Sequence, residues 1–147
     1  MSIMHNDFYA SGFLYHPKTQ RILLQKEKKS DPNIHWQTIC VKAKKSETSK
    51  DAFKRLINSL FKLEVDIKNI ISVYDYFHDG LKADNFISFV KVKKAEEFIN
   101  KNYVYQWFDV KETLKLKVSP QTKQDIVVLL RVISSSVRKE NGEKYID

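Results

Sequence analysis

Side chains able to do chemistry are thinly spread along this sequence. Cys40 is the single thiol, so neither an internal disulfide nor a Cys-based zinc site can form, which suits a reducing compartment. The four histidines, His5, His16, His35 and His78, fall in predicted loops and at strand ends, with no i, i+4 pair to seat a metal. Asp75, Asp79, Asp84 and Asp109 could gather from different loops around a cation, although nothing in their spacing asks for it. Cations are plentiful: 26 lysines and arginines stand against 18 acids, a net charge of +8. Such an excess favours polyanionic partners such as nucleotides, nucleic acid including RNA, or anionic membrane surfaces, but most of these residues are lysines dispersed among acids, which better describes a solubilising surface. Trp36, Trp107 and Phe108 could stack on a base, and the alternative place for each is the core.

The elements that must position these groups read as one domain. A chain of 147 residues with 42% hydrophobic and 12% aromatic residues can bury a sizeable core. No apolar run is long enough to span a bilayer, and Met1 to Asp7 has neither a basic nor an apolar leader region, so a cytoplasmic protein without membrane contact is expected. Phe8 to Tyr15 and Arg21 to Gln25 read as a hairpin around His16-Pro17-Lys18. Lys26 to His35 reads as a loop with its Asp31-Pro32-Asn33 turn, and Trp36 to Val41 as a short strand. After the basic connector Lys42-Ala43-Lys44-Lys45, the apolar residues Ala52, Phe53, Leu56, Ile57, Leu60 and Phe61 recur with helical spacing. Thr48 and Asp51 supply a capping box relative at the start of that helix.

A second hairpin is predicted over Ile70 to Phe77 and Asn85 to Val92, turning at Asp79-Gly80. Lys94 to Lys101 is a polar stretch with helical potential, Tyr103 to Phe108 a strand, and Asp109 with Glu112 a capping-box-like start to a brief helix. Ser119-Pro120 opens a last helix through Ile126, Val127, Leu129, Leu130 and Ile133. The polar residues from Ser134 are expected to fray. The expected fold class is α/β, a mixed β-sheet sandwiched between helices, with a domain over 1–133 and a polar tail over 134–147.

The segment Val41 to Leu63 resembles the Nudix box, G-x5-E-x7-R-E-U-x-E-E-x-G-U, where U is aliphatic. Glu47 and Arg55 fall at its first glutamate and its arginine, and Ile57 and Leu63 at its two aliphatic positions. Ser46-Glu47-Thr48 is similar to the family's Gly-Glu-Thr/Ser approach to the helix. Ile22-Leu23-Leu24-Gln25-Lys26 resembles a family strand ending in a basic, phosphate-facing residue. Trp36 resembles the aromatic before its Pro-Gly-Gly turn, and Gln106-Trp107-Phe108-Asp109 its strand before a short acidic-capped helix. The resemblance covers about residues 7 to 133 and implies the Nudix (MutT-like) fold.

The departures concern chemistry. The glutamates that in this family hold divalent cations are replaced by Leu56, Ser59 and Leu60. At about 100° per residue these positions share one helix face, which now offers hydrocarbon and one hydroxyl. Magnesium prefers carboxylate oxygens and holds its water tightly, so Ser59 alone could not recruit it, and no metal or other cofactor is expected at that place. Cys40 and Val41 stand at the family's Gly-Gly and Lys62 at a further glycine, which implies an altered loop path. Glu47 and Arg55 are expected to pair as a structural brace.

In the family arrangement Lys42, Lys44 and Lys45 flank the diphosphate groove from one side and Lys26 and Lys28 from the other. Their ammonium groups could hold a phosphate without activating water, or form a solvated basic loop. Gln121 begins the helix from which family members often read the base. Three functions follow as expectations: a binding module for a nucleotide, an RNA end or a protein partner without hydrolysis; a divergent hydrolase of nucleoside diphosphate derivatives with magnesium held by other loops; and a structural subunit acting by protein contacts.

Overall fold

A computed structural model describes residues 7–29 and 35–140, with side chains described as far as 135. His5, the Asp31-Pro32-Asn33 turn and the last seven positions of the expected tail lie outside these residues. In order come β1 (Phe8–His16), β2 (Arg21–Glu27), β3 (Ile39–Lys42), α1 (Ser49–Phe61), β4 (Ile70–His78), β5 (Ala83–Lys91), β6 (Tyr103–Asp109) and α2 (Pro120–Glu140). Short 3-10 turns precede β4 and follow β6. The sheet runs β4-β5-β1-β2-β6, and β3 pairs with β1 off that path. It is mixed, because β1 and β5 are parallel over Phe8–Tyr15 and the other pairs antiparallel.

Helices cover both faces, and the strands alternate accordingly. Ala10, Leu14, Leu23 and Val90 pack with Phe53, Leu56, Ile57 and Phe61 of α1. Their neighbours Phe13, Tyr15, Ile22, Leu24 and Phe89 pack with Ile126, Leu129 and Ile133 of α2. A strand buried on both faces must be apolar at consecutive positions, which is why Ile22-Leu23-Leu24 is an unbroken run. Gly12 sits where β1 lies between β3 and β5. A Cβ there would come 1.9 Å from the Ser88 carbonyl oxygen and 2.9 Å from the Phe53 ring, so any side chain would force β1 and β5 apart.

Helix α1 starts as its residues require. Thr48 Oγ1 accepts from the Asp51 N–H at 3.1 Å, and Asp51 returns a carboxylate to the Thr48 N–H at 3.0 Å. At the other end Lys62 is left-handed (φ 57°) and its N–H closes on the Asn58 carbonyl at 2.9 Å. The same conformation occurs at Ser46 (φ 73°), whereas Cys40 and Val41 are ordinary residues of β3, paired with Ser11 and Ala10. The need for a left-handed residue thus falls at Lys62, where the box has glycine, and at Ser46, where the family's approach to the helix has one, and not at the Cys40-Val41 pair.

Four expectations need correction. Strand β3 begins at Ile39, because Gln37 bridges to Gln25 and Trp36 to Val118 as isolated contacts. Lys94 to Lys101 is not helical: Phe98 stacks on Phe61 at 4.4 Å and the Glu96 carbonyl accepts from Trp107 Nε1 at 2.8 Å, which holds the segment extended across the sheet edge. Asp109 and Glu112 form no capping box; Asp109 Oδ1 instead takes the Lys111 N–H at 2.9 Å in a turn, and the Glu112 side chain caps nothing. Finally α2 continues through Ser134 to Glu140, so the boundary expected at 133/134 falls inside a helix. No glycine or proline falls between Gln121 and Glu140.

The left-handed end of α1 yields a measurable expectation. Lys62→Gly keeps the backbone hydrogen bond to Asn58 and removes the Cβ penalty, and should raise unfolding stability by roughly 0.5–1 kcal/mol in urea titration. A loss of stability would contradict the cap geometry.

Candidate functional site

Strands β1 and β2 are paired only at Tyr15↔Ile22 and His16↔Arg21, then diverge. Strand β3 takes the vacated edge of β1, and β2 turns to β6 along its whole length and to Gln37 at Gln25. A cavity of about 280 Å³ lies at this opening, roofed by the start of α2 and the β4–β5 hairpin. Of the eight buried polar residues among those described, five line it: Ser11, Gln25, Asn85, Thr122 and Asp125. Buried polar groups normally require partners, and their concentration at one opening marks the place where the fold tolerates them for a purpose other than packing. A more apolar cavity near the middle of α2, around Tyr15, Val110, Leu130 and Ile133, has no comparable polar lining.

Two hydrogen-bonded clusters hold the lining, one through Ser11, Asn85 and Tyr76 and the other joining Asp125 and Gln121 to Tyr74. Ser11 Oγ donates to Asn85 Oδ1 at 2.8 Å, and Asn85 Nδ2 donates to Tyr76 Oη at 3.0 Å. Tyr74 Oη donates to Asp125 Oδ1 at 2.6 Å, and Gln121 Nε2 reaches the same oxygen at 3.0 Å and Tyr74 Oη at 3.2 Å. Asp125 is 2% exposed. Burial pushes its pKa up, against the opposing pull of the hydrogen bonds from Tyr74 and Gln121. Burial, reinforced by Asp125, likewise lifts the Tyr74 phenol well above its usual range, and burial raises Tyr76 to about 12. Both tyrosines therefore keep their hydroxyl protons at neutral pH, Tyr74 donating to Asp125 and Tyr76 accepting from Asn85. Cys40 is exposed as a residue, but desolvation of its thiol raises the pKa, so thiolate is scarce there.

Chemically the cavity offers amides, hydroxyls, the Cys40 thiol, the His78 imidazole and one carboxylate, and no lysine or arginine lines it. An anion inside would meet the buried Asp125 carboxylate with no lysine or arginine to offset it, His78 being the one basic side chain in the lining. An uncharged group rich in hydrogen-bond donors and acceptors fits better.

Of the side chains expected to bind a ligand, Gln121 alone lines this cavity. Lys26 lies over the Trp36 ring, 4.7 Å from its centroid, and that ring packs edge-on against Phe108 at 4.8 Å. Trp36 and Phe108 thereby join the core on the α2 face. Lys42 pairs with Asp7 at 3.2 Å. Lys44 and Lys45 are exposed on the connector, and Lys28 lines a separate groove with Lys29 and Lys101. Ser11, Tyr74, Tyr76, Asn85 and Asp125 escaped sequence reasoning. The available signal was a small polar residue inside an apolar strand at Ser11 and Asn85, and an acid on the apolar face of α2 at Asp125.

Glu47 and Arg55 form a bidentate pair: Nε donates to Oε2 at 2.8 Å and an Nη2 hydrogen to Oε1 at 2.9 Å. Arg55 Nη2 also donates to the Lys42 carbonyl at 3.0 Å, and the Lys44 N–H to Glu47 Oε1 at 2.7 Å. One ion pair thus ties the end of β3 and the connector to α1. Beside it, Leu56 is 6% exposed within the α1 core, Leu60 packs partly against that core, and Ser59 is exposed. A glutamate at 56 would have to share this apolar packing. Among the described residues no three His, Cys, Asp or Glu side chains converge as metal ligands, so Asp75, Asp79, Asp84 and Asp109 do not form such a group.

By sequence the chain matches no family model and no curated protein. Its structure is similar to solved Nudix and MutT proteins. A mutT/nudix family protein from Listeria innocua aligns with a TM-score of 0.69 at 12% identity, over 92% of this chain and 98% of that one. The E. coli dihydroneopterin triphosphate pyrophosphohydrolase gives 0.65 at 16% identity, over 81% and 91%. The C-terminal domain of mouse MUTYH, solved in complex with human PCNA, gives 0.65 at 13% identity, over 88% and 91%. At these identities the likeness shows the fold: the chain has the α/β Nudix fold, a mixed sheet between helices.

The Glu47 clamp has a pH signature. Its hydrogen bonds from Arg55, opposed by partial burial and aided by the Lys44 N–H, lower the carboxyl pKa to about 2. A carboxylate whose folded pKa is depressed adds stability that is present above its unfolded pKa, about 4.3, and is lost as pH falls toward 2. With the side chains 18% and 30% exposed, the contribution is discounted to roughly 1–2 kcal/mol. Glu47→Gln should be less stable than wild type by that amount at pH 7, and denaturant titrations should show the gap closing between about pH 4.3 and pH 2. A gap independent of pH would refute the clamp.

Proposed function

We propose that this Nudix-fold protein is a binding module for a nucleotide-type ligand and does not hydrolyse pyrophosphate bonds by the metal-dependent route. The carrying observation is the α1 face of Leu56, Ser59 and Leu60, where Leu56 belongs to the hydrophobic core and no carboxylate is offered. Water activation by divalent ions needs several oxygen ligands held together. The polar cavity supports the positive half of the reading, since its amides, hydroxyls and carboxylate suit the edge of an uncharged heterocycle such as a base. No resident metal or cofactor is part of this proposal, and the cytoplasm is its proposed compartment; among the described residues no helix is long and apolar enough to cross a membrane.

A second reading, a module that acts through a protein partner, draws support from the likeness to the MUTYH domain solved with PCNA. The divergent-hydrolase reading has less support, because the aspartates it would recruit do not converge.

Thermal-shift titration with nucleosides, nucleoside di- and triphosphates, ADP-ribose and dinucleoside polyphosphates, each with and without magnesium or manganese, separates these readings. Ligand at a hundredfold its Kd should add about 2.7 kcal/mol to apparent stability, independent of metal. Product analysis of the same mixtures should show no turnover. Robust magnesium-dependent cleavage would overturn the proposal, and silence in both assays would favour the protein-partner reading.

A further inference from the structure

The cavity is lined by the Asp125 carboxylate and by no lysine or arginine, and Nδ1 of its one histidine, His78, already accepts from the Leu81 N–H at 3.1 Å, so the anionic part of a nucleotide-type ligand is better placed outside it. Two basic regions are near enough in the fold to be considered. On the connector, Lys42 is already engaged with Asp7, the Glu47 carboxylate accepts from the Lys44 N–H, and Lys42, Lys44 and Lys45 do not line the cavity. The other region is a groove of about 360 Å³ at the far end of β2 and β6, lined by Glu27, Lys28, Lys29, Lys101, Asn102 and Tyr103. Tyr103 lines both the groove and the cavity.

This groove is built from fixed parts. The Lys28 N–H donates to the Asn102 carbonyl at 3.0 Å, which locks the end of β2 to the turn before β6. Asn100 Oδ1 accepts from the N–H groups of Asn102 at 2.8 Å and Tyr103 at 3.2 Å, so the turn carrying Lys101 is held beside Lys28. Among the described residues Lys28 and Lys101 have no ion-pair partner. Lys29 pairs with Glu27 at 3.2 Å, but the two side chains are largely exposed, and such a pair rearranges at little cost. Three ammonium groups against one carboxylate leave the groove cationic.

We infer that cavity and groove form one bipartite site, in which an uncharged heterocyclic head enters the polar cavity and a phosphate tail crosses Tyr103 to Lys28, Lys29 and Lys101. This rests on the binding-module reading for its head. It assigns the tail a path away from the α1 helix and its connector. The Tyr103 ring, between the two halves, supplies a flat wall for the linking sugar, and the lysines act as point charges that hold phosphate without activating water. Ligands of this site are nucleoside phosphates, with affinity that rises with phosphate number and falls with salt.

Calorimetric titration of the full chain tests the assignment with inorganic tripolyphosphate, nucleosides and the matching nucleoside triphosphates, against Lys28→Ala/Lys101→Ala and Lys42→Ala/Lys44→Ala/Lys45→Ala variants. Wild type should bind the triphosphate at least about tenfold more tightly than the nucleoside. The Lys28/Lys101 variant should lose that gain and its tripolyphosphate binding while keeping nucleoside affinity, and the connector variant should match wild type. Loss of the gain in the connector variant only, or tripolyphosphate binding indifferent to Lys28 and Lys101, overturns the tail path and leaves the binding-module reading intact. Tripolyphosphate bound through Lys28 and Lys101 with no nucleoside or triphosphate preference overturns the head, and the binding-module reading with it.

Discussion

A sheet covered by helices on both faces has no solvent side on which to place polar groups, and this constraint organises the rest of the molecule. β1, β2 and β5 answer it with consecutive apolar residues, one set packing on α1 and the interleaved set on α2. The exception is the place where β1 and β2 part after two paired positions. There the backbone opens: the buried side chains of Ser11 and Asn85 bond each other and Tyr76, and the Gln25 backbone pairs with that of Gln37. Fold and cavity are therefore one event: the sheet tears at a defined register, and the polar lining keeps the tear from closing.

Much of the architecture was legible because it follows local rules. The capping residues Thr48 and Asp51 mark the start of α1, Ser119-Pro120 marks the start of α2, and period and β-branching give the strands. The stretch Lys94–Lys101 was misread for a physical reason: its composition permits a helix, but Phe98 is claimed by Phe61 and Glu96 by Trp107, contacts that local propensity does not encode. Asp109 and Glu112 have capping-box spacing, yet a turn bond to Lys111 satisfies the aspartate first.

The cavity was hardly legible, because its network joins residues far apart in sequence. Ser11 meets Asn85 across 74 positions and Tyr74 meets Asp125 across 51. No spacing rule reaches that far. Sequence reasoning instead followed charge to the connector lysines, where the nearby structure is organised by Glu47 and Arg55. That pair binds three separate segments through four hydrogen bonds, and it sets the approach of the chain to α1 without needing the side chains around it to do chemistry.

The position of β1 has a kinetic corollary. This strand is central, flanked by β2 and β3 on one edge and by β5 on the other, and its parallel partner begins at residue 83. Parallel pairing between such distant segments raises contact order, so the barrier must include closing a long loop before the central pairing rewards it. During synthesis the apolar edge of β1 that will meet β5 stays open until the chain has emerged past Lys91. An aggregation-prone interval is thus built into the topology, and its length is set by translation rate and by how early α1 shields the other face.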